Sequence, residues 1–284
     1  MKTKKINKVC VKPIIQTVIP AKQIAGYDLF SEPYCNVALI AKKKSGKTSV
    51  LYNCLKKCAG PNTNVYLFSS TINRDDTYKE ICNMLERRHC IVHKYIHFKD
   101  TDGNILDEII EGLKNFESDN EDDEPENALN TSSNCDSKGG NTVKLRFGDL
   151  EPIKQPEKEV KPEKERKIYC ENIFCFDDLG QDMRNKSIDI LLKTNRHFKA
   201  KVFLLGHTLT DLNPASRKQL DYALIFKSFS EDKLKSLYGD LDLSIEFDNF
   251  LEAYKYATEV PYNFLYISTK TDEIRKNFNE KIEF

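Results

Sequence analysis

Residues Asn36 to Thr48 read Asn-Val-Ala-Leu-Ile-Ala-Lys-Lys-Lys-Ser-Gly-Lys-Thr, an apolar run that turns into a small basic loop and then into a helical pattern. Few chain geometries suit such a stretch. The run Val37 to Ile40 predicts a short buried strand, and Gly46-Lys47-Thr48 at its exit predicts a phosphate-binding loop opening a helix. The usual form is Gly-x-x-x-x-Gly-Lys-[Ser/Thr], and here Ala41 stands in place of the first glycine. Glycine tolerates backbone angles that alanine resists, so Ala41 can serve only if its φ stays negative. Backbone N–H groups of Lys44, Ser45, Gly46, Lys47, Thr48 and Ser49, with the positive end of the helix behind them, would cradle phosphate oxygens. Lys47 would reach the β- and γ-phosphates of ATP, and the Thr48 hydroxyl would ligate Mg²⁺.

After Thr48 the apolar positions Val50, Leu51, Cys54, Leu55 and Cys58 repeat at helical spacing, and Gly60-Pro61 ends the helix. Cys54 and Cys58 share its buried face, where two thiols alone make small core residues rather than a metal site. Val65-Tyr-Leu-Phe68 predicts a second buried strand, followed by a helix over about 75–88, a strand over 91–98 and an amphipathic helix over 104–116. His89, His93 and His97 are spaced for a metal only on a helix. On a strand, four residues advance about 13 Å, so the imidazoles cannot converge on one ion.

From Glu117 the pattern breaks: seven of the ten residues 117–126 are acidic, and Asn, Ser, Gly, Lys and Pro dominate up to residue 167. With few apolar side chains to bury, this segment cannot offset the entropy of ordering it, and a disordered insertion over 117–167 is expected. It interrupts one domain, whose first half is 35–116 and second half 168–284. Residues 1–34 form an N-terminal extension with one candidate strand, Ile14 to Ile19.

The second half opens on Ile168-Tyr-Cys-Glu-Asn-Ile-Phe-Cys-Phe176, an apolar strand delivering Asp177-Asp178 at its C-terminal end. This has the form of a Walker B element. Asp177 would hold Mg²⁺ and Asp178 would orient and deprotonate the attacking water. Adjacent residues on a strand face opposite sides, so the two acids should do different work. A helix carrying Ile188, Leu191 and Leu192 follows, then the strand Lys201 to Leu205, closing on Gly206-His207-Thr208. A polar residue at that tip is placed to sense the γ-phosphate, and His207 or Thr208 is the candidate. Arg217, ahead of the strand Tyr222 to Phe226, could lie at a subunit edge and reach a neighbour's nucleotide.

Whole-chain properties narrow the partners. Lys+Arg and Asp+Glu both number 44 among 284 residues, so any nucleic-acid contact must come from a local basic patch. Nine cysteines, an odd number with no Cys-x-x-Cys pair, suggest free thiols in a reducing compartment. No run approaches 18 apolar residues, and Met-Lys-Thr-Lys-Lys lacks the apolar block of a secretory signal, so an intracellular protein without a membrane span is expected.

The order of these features resembles the viral DNA-packaging ATPases of the FtsK–HerA class, especially the poxvirus-type ATPase and its relatives in giant viruses, virophages and Polinton-like elements. The likeness runs over about 35–116 and 168–284: Walker A, two intervening strands, Asp177-Asp178, Thr194-Asn-Arg-His197, a strand, Asp211-Leu-Asn-Pro, Arg217 and a strand. Pro261 to Ile267 and Arg275-Lys-Asn-Phe278 look like the family's last strand and tail. In that family the sensor strand usually ends in glutamine, where this chain has His207. The resemblance implies an α/β P-loop NTPase fold of the RecA/FtsK–HerA type, with a mainly parallel sheet and helices on both faces; the chain itself is expected to be mostly helical from Ser230 to Thr258. It further implies a ring, expected to be a hexamer, that hydrolyses ATP with Mg²⁺ at subunit interfaces and drives double-stranded DNA into a preformed capsid. A viral capsid or portal-site protein would be its partner, in the host cytoplasm at a virus factory or in the virion. Two other readings stay open at this point. One is a nucleotide-binding switch or adaptor with weak ATPase activity, motivated by Ala41 and His207; the other is a small-molecule P-loop kinase, for which no second substrate site or Arg-rich lid stands out.

Overall fold

A computed structural model describes residues 19–100, 103–121, 167–227 and 229–284. Strand β1 (Asn36–Ile40) is buried along its whole length and passes through the loop 41–46 into helix α1 (Lys47–Cys58). Strand β2 (Asn64–Ser69), helix α2 (Asp76–Arg87) and strand β3 (Ile91–Tyr95) follow. A small hairpin, β4 (Lys99–Asp100) and β5 (Gly103–Asn104), leads into helix α3 (Ile105–Glu121). The second half contains β6 (Asn172–Asp177), α4 (Lys186–Thr194), β7 (Ala200–Gly206), the short α5 (Pro214–Arg217) and β8 (Tyr222–Phe226). Helices α6 (Glu231–Leu241) and α7 (Phe247–Ala257) then precede β9 (Phe264–Ser268), β10 (Glu273–Lys276) and β11 (Glu280–Ile282).

Nine strands form one sheet in the order β11-β10-β9-β8-β1-β7-β6-β2-β3. From β8 to β3 every pairing is parallel, and β9, β10 and β11 add antiparallel strands at one edge. The parallel strands read as continuous apolar runs because both faces are covered. Val37 and Leu39 face one side with α1 and α2, where Leu51, Cys54, Leu55, Cys58, Tyr78, Ile81 and Leu85 are buried. Ala38 and Ile40 face the other side, against α3, α4, α6 and α7 through Leu106, Ile188, Leu191, Leu234 and Phe250. Each fully buried leucine in these layers contributes roughly 1.5–3 kcal/mol of apolar burial. This is an α/β fold of the P-loop NTPase kind.

Parallel register puts the strand ends that matter side by side. Ile40 pairs with Gly206, Leu205 with Asp177, and Asp177 with Ser69, so the tips of β1, β7, β6 and β2 share one edge of the sheet. Such an edge, at the carboxyl ends of parallel strands, is where this architecture leaves a crevice for ligands.

Several boundaries differ from expectation. The strand expected at 168–176 begins at Asn172, since Ile168 is taken up by an isolated bridge to Ile24. The strand expected over 91–98 ends at Tyr95, because Phe98 turns inward onto Phe68 and Phe176, with ring centroids 5.3 and 5.5 Å away. Helix α3 runs past the expected end at 116, to Glu121. The last strand starts at Phe264 rather than Pro261, and the tail folds back as the β10–β11 hairpin. Residues 122–166 of the expected insertion, and all but Ile19 of the candidate N-terminal strand, lie outside the described residues.

Candidate active site

The loop after β1 resolves the question raised by Ala41. Ala41 is not among the residues with positive φ; the left-handed positions are Lys44 at +63° and Gly46 at +90°. The turn therefore needs glycine at 46 and tolerates alanine at 41, where the side chain is fully buried. The Ala41 N–H donates to the Gly206 carbonyl at 3.1 Å, tying the loop to the end of β7. Gly46 is the N-cap of α1, and no acidic side chain occupies the helix's first turn, so its positive end is left free for an anion. Thr48 and Ser49 follow in that turn, Thr48 half-buried and Ser49 exposed. The Ser45 hydroxyl donates to the Lys42 carbonyl at 2.7 Å, holding the loop closed from within.

Lys47 points into the crevice rather than out to solvent. Its side chain is buried, and Nζ lies 3.4 Å from the Gly206 carbonyl. Burial lowers its pKa, opposed by the carboxylates of Asp177, Asp178 and Asp211. Asp177, the last residue of β6, is also buried, and burial raises its pKa, opposed by a hydrogen bond from Tyr78 and the charge of Lys47. The Tyr78 hydroxyl, reaching across from α2, donates to Asp177 Oδ2 at 2.7 Å. One carboxylate oxygen is thus held by Tyr78, and no hydrogen bond to the other is seen among the described residues.

Asp178 corrects one expectation. It lies just beyond β6 with φ at +52°, so strand alternation does not govern its direction. The left-handed turn separates its side chain from that of Asp177, leaving it 43% exposed with Oδ1 3.5 Å from Nε2 of His207. His207 follows β7, and its Nδ1 lies 3.0 Å from the Ala41 carbonyl. A carbonyl only accepts, so Nδ1 carries the proton there. Nε2 is buried and has no hydrogen-bond partner among the described residues, the contact to Asp178 being too long to supply one.

Of the two expected sensors, Thr208 is occupied. Its hydroxyl contacts Asp211 Oδ1 at 3.1 Å and Thr210 Oγ1 at 2.6 Å, capping the short 3-10 turn Leu209–Asp211. Asp211 Oδ2 accepts from the N–H groups of His207 and Thr208 at 3.1 and 3.0 Å, which fixes the backbone on which the imidazole is mounted. Arg184 clamps the same turn from the loop after β6, donating to the Thr210 carbonyl at 2.7 Å.

Arg217 is engaged elsewhere. Its guanidinium donates to Asp240 Oδ2 at 2.7 Å and to the Leu212 carbonyl at 3.1 Å, and it is largely buried. Arg196 pairs with Asp221 at 3.8 Å, beside the start of β8 and so at the opposite edge of the sheet. His93 stacks on Tyr66 with ring centroids 4.6 Å apart. Cys54 and Cys58 are fully buried in the α1 layer.

Among the described residues no three His, Cys, Asp or Glu side chains form a metal site of their own. The oxygens of Asp177 and Thr48 nonetheless suit Mg²⁺, which is typically held by one or two carboxylates together with a substrate's phosphates. Tyr78 and Asp211 carry no signal in the sequence as site residues, since both act through contacts that only the fold creates.

No protein-family model matches this sequence, and no curated protein sequence matches it. Solved structures with a similar chain path include the genome packaging NTPase B204 from Sulfolobus turreted icosahedral virus 2 in complex with AMPPCP, at 15% identity and a TM-score of 0.49, covering 86% of this chain and 97% of that one. The DNA-packaging ATPase B204 from Sulfolobus turreted icosahedral virus is similar at 15% identity and a TM-score of 0.48, covering 85% of this chain and 95% of that one. Among the described residues no helix is long and apolar enough to cross a membrane.

Proposed function

We propose that this chain is an ATP-hydrolysing double-stranded DNA translocase of the FtsK–HerA type that packages a viral genome into a preformed capsid. The observation that carries the hydrolytic part is the unpartnered, buried Nε2 of His207, held beside Asp178 and the phosphate loop. A buried polar atom without a partner calls for one. As the imidazolium, with Nδ1–H on the Ala41 carbonyl and the Asp178 carboxylate beside the ring, His207 would donate Nε2–H to a terminal phosphate oxygen. The loop N–H groups at the start of α1 cradle the triphosphate, and Lys47 meets its β- and γ-oxygens. Mg²⁺, bound with ATP through Asp177 and Thr48, would neutralise charge on those oxygens. Asp178, the more exposed acid, orients a water and takes its proton, while Asp177 stays in place under Tyr78.

The motor reading draws on the order of motifs along the chain, from Walker A through Asp177-Asp178 to Arg217. A homo-oligomeric ring, taken as a hexamer, would place a neighbour's arginine at each site. If Arg217 plays that part, it must exchange Asp240 for the phosphate. DNA contact would fall to lysines that grip phosphates at any sequence, and the exposed triplet Lys42, Lys43 and Lys44 lies on the site's own edge.

Phosphate release by the purified chain, measured with and without double-stranded DNA, tests this. DNA-stimulated hydrolysis is expected. Transfer of phosphate to a metabolite would make the chain a kinase, and tight ATP binding without turnover would make it a switch.

A further inference from the structure

The turn between α7 and β9, residues 258–263, exposes two apolar side chains, Val260 at 52% and Tyr262 at 70%. An exposed tyrosine is ordinary on its own. Tyr262 is distinguished by its conformation and by what it touches. Its φ of +70° is left-handed, a conformation that bulky side chains avoid. The turn is nevertheless fastened: the Asn263 N–H donates to the Val260 carbonyl at 3.3 Å, and Asn277 bridges Asn263 Oδ1 and the Phe264 N–H at 3.1 and 3.2 Å. The ring lies against the phosphate loop, where a Cβ added to Gly46 would meet Tyr262 Cδ1 at 3.3 Å.

Topology gives this contact a direction. Phe264 at the start of β9 pairs with Phe226 at the end of β8, so the turn sits at the carboxyl edge of the parallel strands, with β8 alone between it and β1. Asp177, Asp178 and His207 lie on β1's other flank, at the ends of β6 and β7. A triphosphate whose terminal phosphate meets His207 and Asp178 must project its nucleoside away from them, toward β8, β9 and the open face of Tyr262.

We propose that Tyr262 is the platform on which the nucleobase of the bound nucleoside triphosphate stacks; this rests on the nucleotide-site reading above. Every base offers a π-face, so stacking accepts any of them, and the Val260–Tyr262 turn provides affinity without strict base selection.

The test uses the full chain and two probes, Mg-ATP and Mg-tripolyphosphate, the second having phosphates but no base. Tyr262→Ala is expected to weaken ATP binding about tenfold or more and to leave tripolyphosphate binding unchanged, with Tyr262→Phe close to wild type. The chain has no tryptophan, so Tyr262→Trp provides a single indole, whose fluorescence should respond to ATP and not to tripolyphosphate. Unchanged ATP affinity in Tyr262→Ala would overturn the proposal. So would equal loss of both probes, which would make the ring a prop for the loop. If wild type bound neither probe, or Lys47→Ala bound both normally, the nucleotide site itself would be wrong and the base platform would fall with it.

Discussion

His207 Nδ1 lies 3.0 Å from the carbonyl oxygen of Ala41, so the ring that ends β7 is fastened to the residue standing where a phosphate loop ordinarily has its first glycine. The two departures from the usual motif are therefore in contact. With Nδ1 committed to Ala41, only Nε2 can meet a ligand, and it would donate to a phosphate oxygen as the second N–H of the imidazolium. His207→Ala should lower the rate of ATP hydrolysis by about 10²–10³, the usual effect of losing one preorganised donor at a site of developing charge. His207→Gln should recover part of that rate, since an amide can donate in its place. Single-turnover hydrolysis beside nucleotide affinity measures this; equal loss of both would make His207 a binding residue only.

Lys47 and Asp178 should separate binding from chemistry. Lys47 is buried against the crevice and in the proposed site meets the phosphates, so Lys47→Ala should abolish nucleotide binding. Asp178 lies outside the strand and is partly exposed, so Asp178→Asn should bind ATP within a few-fold of wild type and lose turnover. Retained turnover in Asp178→Asn would move the proton acceptor to another group.

Asp177 should leave a signature in the pH dependence of stability. Burial raises its pKa, so the native state favours the protonated acid. The stabilisation from that preference is complete below the unfolded-state value, about pH 4, and is lost as pH rises through the raised native value. Asp177→Asn cannot ionise, so its stability relative to wild type should grow across that window and then level off. Tyr78→Phe removes a hydrogen bond that lowers this pKa, and should move the window to higher pH. Urea unfolding at several pH values without nucleotide checks both; a flat difference would mean Asp177 ionises normally.

How far these features could be read in advance depended on how local their cause is. Val37 to Ile40 and Phe174 to Phe176 announce buried strands because both faces are covered, and a phosphate loop or acid pair at their ends is a contiguous signature. The edge strands β10 and β11 are short, mixed in polarity and half-exposed, so no periodicity marks them. Tyr78 and Asp177 are 99 residues apart, and only the pairing of β2 with β6 brings α2 over the acid. The apolar pattern carries Asp178 on as a strand residue, because a single left-handed turn leaves no mark in it. Tyr262 reads as the start of a strand until its own backbone reverses at the loop.

Lys201 offers a test of what the core itself requires. It is 1% exposed on β7, with Nζ donating to the Glu32 carbonyl at 2.6 Å and lying 3.8 Å from Cys35 Sγ. Among the described residues it has no salt-bridge partner. Burying an ammonium without a carboxylate is costly, and the Glu32 hydrogen bond offsets only part of that cost. Lys201→Met keeps the volume of the aliphatic stem, removes the charge and leaves one carbonyl unpartnered. The two effects oppose each other, and the variant should stay within about 1.5 kcal/mol of wild type. Lys201→Ala loses the stem as well and should cost about 2–5 kcal/mol, as other large-to-small core changes do. Urea midpoints of the two variants decide it. If Lys201→Met proved as destabilised as Lys201→Ala, the ammonium and its bond to Glu32 would be a requirement of the fold, and the buried stem would not account for the lysine's place in β7.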